Sequence, residues 1–206
     1  MKTLLLVTFI QAYLIGSIST AILIGRIIAG DDIRSHGSGN AGATNALRTY
    51  GKKAAAFVTL GDCFKAAAAI LIGILIAKLS GAESNRMFIY LASFGAVLGH
   101  NFPLYFKFRG GKGILVSVVG IFFTDWRIGI IVLAASIAVM AVSRYVSLGS
   151  VFGAALFAVL VPIFHKGDTA FIIYAVLLAA LAIIKHRSNI IRLVHGEENK
   201  LGSKKS

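Results

Sequence analysis

Three stretches of this chain combine glycine, hydroxyls, amides and cations at spacings suited to holding a phosphate. The first runs Asp32-Ile33-Arg34-Ser35-His36-Gly37-Ser38-Gly39-Asn40-Ala41-Gly42-Ala43-Thr44-Asn45-Ala46-Leu47-Arg48. Its glycines let backbone N–H groups turn toward an anion. Ser38, Asn40, Thr44 and Asn45 add side-chain donors, and Arg48 offers a planar fork matched to phosphate. The simpler alternative is a turn capping the next helix, but a turn does not need so many donors. The second stretch is Gly99-His100-Asn101-Phe102-Pro103, followed by Phe108-Arg109-Gly110-Gly111-Lys112-Gly113. Gly-Gly-Lys-Gly directly before a helix presents N–H groups, the positive end of a helix dipole and a lysine. It is not a nucleoside-triphosphate loop: position 106 is Phe where the first Gly would stand, and Gly113 follows Lys112 where Ser or Thr is needed. Its plainer alternative is a flexible basic loop touching anionic headgroups. The third stretch is His186-Arg187-Ser188-Asn189-Ile190-Ile191-Arg192-Leu193, then Gly196-Glu197-Glu198 and Lys200. Its spacing makes His186 and Asn189 neighbours on a helix continuing from the preceding span. An imidazole there could accept a proton or donate to a phosphate near neutral pH. Taken alone, such a tail reads more simply as a basic membrane anchor.

Other polar residues invite plainer readings. Asp62 and Lys65 lie three apart inside an apolar stretch, so they could pair with each other. Arg144-Tyr145 followed by Ser147-Leu148 is a short turn with an interfacial Arg/Tyr anchor as its simplest reading. His36, His165 and His195 have no partner at metal-ligand spacing, and neither HExxH nor CxxC occurs, so no metal site and no cofactor are expected. Cys63 is single, which excludes an intrachain disulfide and suggests a small packing residue. No Gly-x-Ser-x-Gly elbow is present.

The elements that must position these residues are set by composition. Of 206 residues, 57% are hydrophobic and 14% charged, and mean hydropathy is +0.84. A soluble domain carries roughly 25% charged residues. The chain therefore reads as all-α: a polytopic integral membrane helical bundle. Seven helices of ~20 apolar residues need about 140 residues, which fits one membrane-embedded domain over 1–206. The expected spans are 3–28, 54–79, 87–99, 114–123, 128–142, 151–164 and 169–184, with 29–50 as a polar loop. The third and fourth are short enough to form a re-entrant pair instead, leaving five full spans. The first is too long for a signal-peptide core and is read as retained.

Lys and Arg number 21 against 8 Asp and Glu. With the N-terminus outside, fifteen of these cations fall on inside segments, Lys204 and Lys205 among them, and five on outside ones. That asymmetry predicts N-out, C-in, with the three polar stretches all facing the cytoplasm. The cations sit in short loops between apolar spans, which argues against nucleic acid and for anionic lipid or small anionic substrates.

In this order and spacing, the three stretches resemble the bacterial membrane-integral acyl-phosphate:glycerol-3-phosphate acyltransferase family. The matching residues are Gly37-Ser38-Gly39-Asn40-x-Gly42-Ala43-Thr44-Asn45-x-x-Arg48, then Gly99-His100-x-x-Pro103 with Phe108-x-Gly110-Gly111-Lys112-Gly113, then His186-Arg187-x-Asn189-Ile190-x-Arg192-Leu193-x-x-Gly196-x-Glu198. Arg144-Tyr145-x-Ser147-Leu148 and Asp62-x-x-Lys65 fit as well. The chain departs at Ala66, where Gly is expected, and at Ile114-Leu115-Val116, where a small or Thr-containing helix start is expected. Both departures concern helix packing more than chemistry. The HxxxxD pattern of soluble glycerolipid acyltransferases is absent, with Ala41 and Tyr105 at its fifth positions after His36 and His100.

The resemblance implies an enzyme of the bacterial inner membrane that acylates the 1-hydroxyl of sn-glycerol 3-phosphate from acyl phosphate, with lysophosphatidic acid and phosphate as products. It implies Gly110, Gly111, Lys112 and Gly113 as the acceptor's phosphate cradle, assisted by Arg48 or Arg192, with Lys107 at the same basic entrance. Ser38, Asn40, Thr44 and Asn45 would orient the acyl phosphate and its oxyanion. His186 and Asn189 would position the hydroxyl or a phosphate. Arg144, Ser147 and Arg187 join the substrate-binding set. Asp62, Lys65 and Glu198 are structural, Glu198 by pairing with an Arg. The hydroxyl proton has two candidate acceptors, His186 and a donor phosphate oxygen, and Ser38 as an acyl-enzyme nucleophile is the less favoured third route. The implied partners are both substrates, membrane lipid and the enzyme that makes the acyl phosphate, with a monomer as the working form. Two rivals explain part of the pattern. An anion transporter would use the same cations, but no inverted repeat is visible and the clusters lie on one side. A lipid-binding scaffold explains the charge but not the first stretch.

Overall fold

The computed structural model describes residues 1–202, so Lys204 and Lys205 lie outside the described residues. Among the described residues every regular element is helical: α1 (Lys2–Gly16), α2 (Thr20–Ala29), α3 (Ala43–Leu79), α4 (Arg86–Asn101), α5 (Ile114–Thr124), α6 (Trp126–Ser143), α7 (Val146–Phe164), α8 (Thr169–Lys185) and α9 (Arg187–Val194), with 3-10 turns at Ile33–Ser35 and Leu104–Phe106. The chain divides into two compact units, Met1–Thr124 and Asp125–Ser206.

On length and composition, five stretches could cross a membrane: Lys2–Ala29, Ala43–Leu79, Arg86–Phe106, Trp126–Ser143 and Val146–Phe164. The bent pair α8 and α9 makes a sixth. The expected seven are not reached. The shortfall is α5, whose 11 residues extend only ~16 Å against a hydrocarbon core of ~30 Å.

In the first unit, small residues let backbones approach closely, as membrane helices require when apolar surface alone gives no driving force. A Cβ at Gly95 of α4 would stand 2.7 Å from the Phe9 carbonyl oxygen of α1, and one at Gly99 would stand 2.8 Å from Ser17 N. Gln11 ties α1 to α3 by donating to the Ala69 carbonyl at 2.9 Å. The first span is not one helix. It breaks at Ser17–Ser19, where the Ser17 hydroxyl turns back to the Tyr13 carbonyl at 2.8 Å.

The polar segment 29–50 is only partly a loop. Ala43–Tyr50 is helical and belongs to α3, which starts after an extended Gly42 and continues through a non-helical Gly51 at φ 84°. Ala43, Ala46 and Leu47 favour helix, and Gly51 supplies the left-handed backbone that lets this polar turn change direction. Thr44, Asn45 and Arg48 therefore project from a helix, not from a loop. Beyond Gly51, α3 runs about 42 Å, enough to cross a bilayer. It presents Phe57, Leu60 and Phe64 outward.

In the second unit, α6 and α7 meet through Gly149 and Gly153, whose missing side chains admit Ser136 and Met140. Phe157, Phe171 and Tyr174 form a ring cluster with centroids 6.1–6.2 Å apart. Asp125 caps α6 by accepting the Arg127 and Ile128 N–H groups, and it meets His165 at 2.7 Å. Burial works against its carboxylate, but the His165 bond and the two backbone N–H groups outweigh burial and hold it below the usual range.

Candidate active site

Two of the three polar stretches are joined in the first unit. Asn45, on the first turn of α3, organises the loop before it. Its amide nitrogen donates to the Ile33 and His36 carbonyls at 3.2 and 3.0 Å, and its Oδ1 accepts the Ser38 N–H at 2.9 Å. Gly37 has φ 57°, and a Cβ there would run into Asn45 Oδ1. The loop therefore closes over an amide that is 1% exposed. Both ends of the Asn45 amide are thus engaged with the loop backbone. Ser38 is exposed at the rim, and Asn40 and Thr44 are half-buried beside it.

The second stretch leaves the end of α4. Gly110 N–H donates to the Asn101 carbonyl at 3.3 Å, and Gly111 N–H to the His100 carbonyl at 3.1 Å. A Cβ at Gly111 would meet His100 Nε2 and would lie 2.8 Å from the Ala41 carbonyl. Only glycine lets the second loop lie this close to the first. Gly113, at φ 78°, opens α5, and its carbonyl accepts the Ser117 N–H at 2.8 Å. The expected arrangement of Gly-Gly-Lys-Gly at a helix N-terminus is thus present, with Lys112 half-buried at the last turn of the loop. Lys107 is exposed on a left-handed turn.

His100 is buried and was not among the expected functional residues. Its Nδ1 lies 3.0 Å from Lys65 Nζ, which also donates to the Ile18 carbonyl at 2.7 Å and to Asp62 Oδ1 at 2.8 Å. Three partners match the three donors of an ammonium, so His100 Nδ1 accepts and the ring proton belongs on Nε2. The direct Asp62–His100 separation of 3.6 Å is too long for the alternative bond. Thr20 completes the carboxylate by donating at 3.3 Å. The Asp62–Lys65 pair therefore has a third member, and that member carries the ring against which Gly111 lies. Arg34 was also passed over. It spans from the first loop to the second, bonding Asp32 and the carbonyls of Phe106 and Arg109. The Asp32-Ile33-Arg34 spacing was the available signal; the 72-residue separation from Phe106 hid the partner.

The third stretch and the Arg144 turn come together in the second unit around Glu198, which is 8% exposed. Its Oε1 accepts from Asn189 at 2.8 Å and from Ser147 at 3.0 Å, and its Oε2 accepts from Arg192 Nε at 2.8 Å. Burial pushes this carboxyl up, but the bonds from Asn189, Arg192 and Ser147 prevail and hold it below the usual glutamate range. Arg144, at φ 63°, exchanges bonds with Leu201: its carbonyl accepts the Leu201 N–H at 2.7 Å and its guanidinium donates back at 3.1 Å. Arg187 is exposed at the start of α9. His186 does not lie on a continuing helix as expected. It sits at the joint between α8 and α9, which bend by 60°. It is buried, and its Nδ1 is 2.7 Å from the Ala182 carbonyl. That acceptor requires the proton on Nδ1, which makes Nε2 the lone-pair nitrogen of the neutral ring. Among the described residues no three His, Cys, Asp or Glu side chains converge as a metal site would require.

Comparison with known proteins follows the same lines. The family model described as "Glycerol-3-phosphate acyltransferase" matches residues 6–196. The chain is 45% identical over 197 residues to the glycerol-3-phosphate acyltransferase of Thermoanaerobacter sp. (strain X514), covering 96% of each chain. It is 44% identical over 199 residues to that of Clostridioides difficile (strain 630), covering 95% of each. Two solved structures share the fold, both of PlsY (YgiH), described as an integral membrane glycerol 3-phosphate acyltransferase. The glycerol 3-phosphate form superposes with a TM-score of 0.85 at 31% identity, covering 96% of both chains. The lysophosphatidic acid form gives 0.79 at 30% identity, covering 96% of this chain and 95% of the other.

Proposed function

We propose a specific reaction for this chain, which belongs to the glycerol-3-phosphate acyltransferase family and is a membrane-integral acyltransferase. It transfers a fatty acyl group from acyl phosphate to the 1-hydroxyl of sn-glycerol 3-phosphate, the first acylation of bacterial phospholipid synthesis. The hydroxyl oxygen attacks the acyl carbonyl carbon, a tetrahedral oxyanion forms, and the bond to phosphate breaks. The products are lysophosphatidic acid and inorganic phosphate. The acyl phosphate is already activated, so orientation and charge stabilisation suffice and no acyl-enzyme is needed.

The observation that carries this reading is the paired glycine loops of the first unit. The first-turn N–H groups of α5 and the Lys112 ammonium suit a dianionic phosphate, the Gly110 and Gly111 N–H groups being spent on the Asn101 and His100 carbonyls, beside helices long enough to keep an acyl tail in lipid. Gly110, Gly111, Lys112 and Gly113 take the acceptor's phosphate, with Arg48 or Arg192 assisting and Lys107 at the entrance. Ser38, Asn40 and Thr44 face the acyl phosphate, and Asn45 holds their loop in shape. Asn189 and His186 place the hydroxyl, and its proton passes to His186 Nε2 or to a phosphate oxygen of the donor. Arg144, Ser147 and Arg187 complete the binding set. In this reading 1–206 is one domain of the bacterial inner membrane, N-terminus out, with its loops facing the cytoplasm and a monomer as the working form.

The test uses the purified full chain in detergent or lipid, given palmitoyl phosphate and sn-glycerol 3-phosphate. Equal release of phosphate and lysophosphatidic acid from acyl phosphate, and none from acyl-CoA, supports the reaction. Product from acyl-CoA alone overturns the donor, and a trapped acyl-Ser38 adduct overturns direct transfer. A His186→Gln variant that keeps its rate assigns the proton to the donor phosphate.

A further inference from the structure

Arg34 sits in the 3-10 turn Ile33–Ser35 with its guanidinium committed to protein partners. Nε bonds the two carboxylate oxygens of Asp32 at 3.0 and 3.1 Å, and Nη2 bonds Asp32 Oδ2 at 2.6 Å. Nη1 donates to the carbonyls of Phe106 and Arg109, both at 2.8 Å. Asp32 is itself fixed, because it accepts the Arg34 N–H at 3.0 Å. Four of the five guanidinium hydrogens are thereby used, so this cation works on backbone.

The two carbonyls it grips bracket Lys107 and Phe108. Those residues have φ values of 58° and 57°, two side chains in succession in the left-handed region. L residues disfavour that region, and two in a row persist only where their surroundings impose it. The turn is pinned on one side by Phe106, which packs against the buried cluster of Ile22, Ile33, Ala41 and Ala46. On the other side it leads straight into Gly110 and Gly111, whose N–H groups reach back to Asn101 and His100.

We infer that Arg34 is a positioning residue for acceptor binding: paired with Asp32, it latches the strained Lys107–Phe108 turn and so holds the Gly110–Gly113 cradle in its phosphate-receiving shape. The inference rests on the reading of that cradle as the acceptor's phosphate subsite. Arg34 carries a fork that no lysine reproduces, so Arg34→Lys keeps the charge and loses the latch. Phe108→Gly removes half the left-handed strain without touching the cradle, so it lightens what the latch must hold.

Four full-length proteins decide it: the parent, Arg34→Lys, Phe108→Gly and the double variant. Each is assayed for acceptor KM and kcat with palmitoyl phosphate as donor, and for trypsin cleavage after Lys107 and Arg109. Loss of charge-assisted bonds at a partly exposed site predicts an acceptor KM raised about tenfold in Arg34→Lys, with kcat kept and faster cleavage. Phe108→Gly alone leaves KM unchanged, because the turn is already fully formed. In the double variant, relief of one strained residue recovers about fivefold of that KM. If Arg34→Lys raises KM without rescue by Phe108→Gly, the guanidinium serves acceptor binding by some route other than holding the turn, and the latch is overturned. A fall in kcat at constant KM, or unchanged KM and cleavage, overturns it too. Gly111→Ala separates the two readings. Unchanged acceptor KM there sinks the cradle assignment, and the cleavage rates then decide the latch alone. Should Arg34→Lys fail to fold, Asp32→Asn releases the same fork with the cation in place and must move KM and cleavage the same way.

Discussion

Glu198→Gln removes one bond and keeps two. The glutamine carbonyl can still accept from Asn189 and Ser147, as Glu198 Oε1 does now at 2.8 and 3.0 Å. Its NH2 group then faces Arg192 Nε, a donor against a donor where the carboxylate accepted at 2.8 Å. A charge-assisted hydrogen bond contributes about 1.5–3 kcal/mol. Arg192 is 35% exposed, so solvent screening brings the loss to about 1–2 kcal/mol. Glu198→Ala removes all three bonds and costs ~3 kcal/mol. At about 2–4 °C per kcal/mol for a chain of this size, thermal unfolding in detergent falls by roughly 2–8 °C for Gln and further for Ala. The pH dependence has a definite sign. The carboxyl lies below its ordinary value in the folded chain, so its stabilisation is complete above the ordinary glutamate range. It is lost as pH falls through the folded value, where the proton is forced on. The parent therefore loses its margin over Glu198→Gln on acidification, and the two melting curves converge. Equal melting temperatures at neutral pH, or a margin that grows toward acid, would refute the role of Glu198 as the anchor of Ser147, Asn189 and Arg192.

Three further outcomes follow from the geometry. Lys65→Met leaves Asp62 and His100 buried without their shared cation, a loss of about 3–5 kcal/mol; folded yield drops sharply, and Asp62→Leu added to Lys65→Met restores part of it. Gly99→Ala places a Cβ 2.8 Å from Ser17 N and costs about 1–3 kcal/mol of stability, read as a lower melting temperature, whereas Gly81→Ala on the exposed turn after α3 costs less. Lys112→Ala removes the cation of the glycine loop while leaving its backbone N–H groups, so acceptor KM rises more than melting temperature falls, as a substrate titration at saturating donor will show.

The parts of the site that were readable from sequence are those whose chemistry is local. Gly110-Gly111-Lys112-Gly113 before an apolar run reads as a loop leading into a helix N-terminus, and it lies at the start of α5. Asp62 and Lys65 are three apart on an apolar helix and have each other within reach. What escaped was the choice among distant partners. Asn45 looked like a donor for substrate because amides bind phosphate, but its own loop carbonyls were closer competitors. Arg34 was one cation among twenty-one, and nothing near it announced that it would bond backbone 72 residues away. The spacing of His186 and Asn189 puts them on a continuing helix, but nothing in that spacing shows the 60° bend between α8 and α9 at which His186 lies. The short fourth span is legible too: the apolar run 114–123 already reads as brief in the sequence, and α5 has 11 residues.

The cluster of Lys65, Asp62, His100 and the Ile18 carbonyl also constrains how the chain is made. On an insertion scale Asp and Lys each cost about 2.5–3.5 kcal/mol at the centre of a span, so α3 enters the bilayer carrying two unwelcome groups. Each relieves the other at once, because they share one face. The Ile18 carbonyl has already emerged from the ribosome, but His100 lies 35 residues behind Lys65. At roughly 5–20 residues per second, the ammonium waits on the order of 2–7 s for its last acceptor. In the folded chain one ammonium thus joins the break after α1, the middle of α3 and the end of α4, through the Ile18 carbonyl, Asp62 and His100, so the helix that leads into the glycine loop is tied to those before it by a charge as well as by close packing.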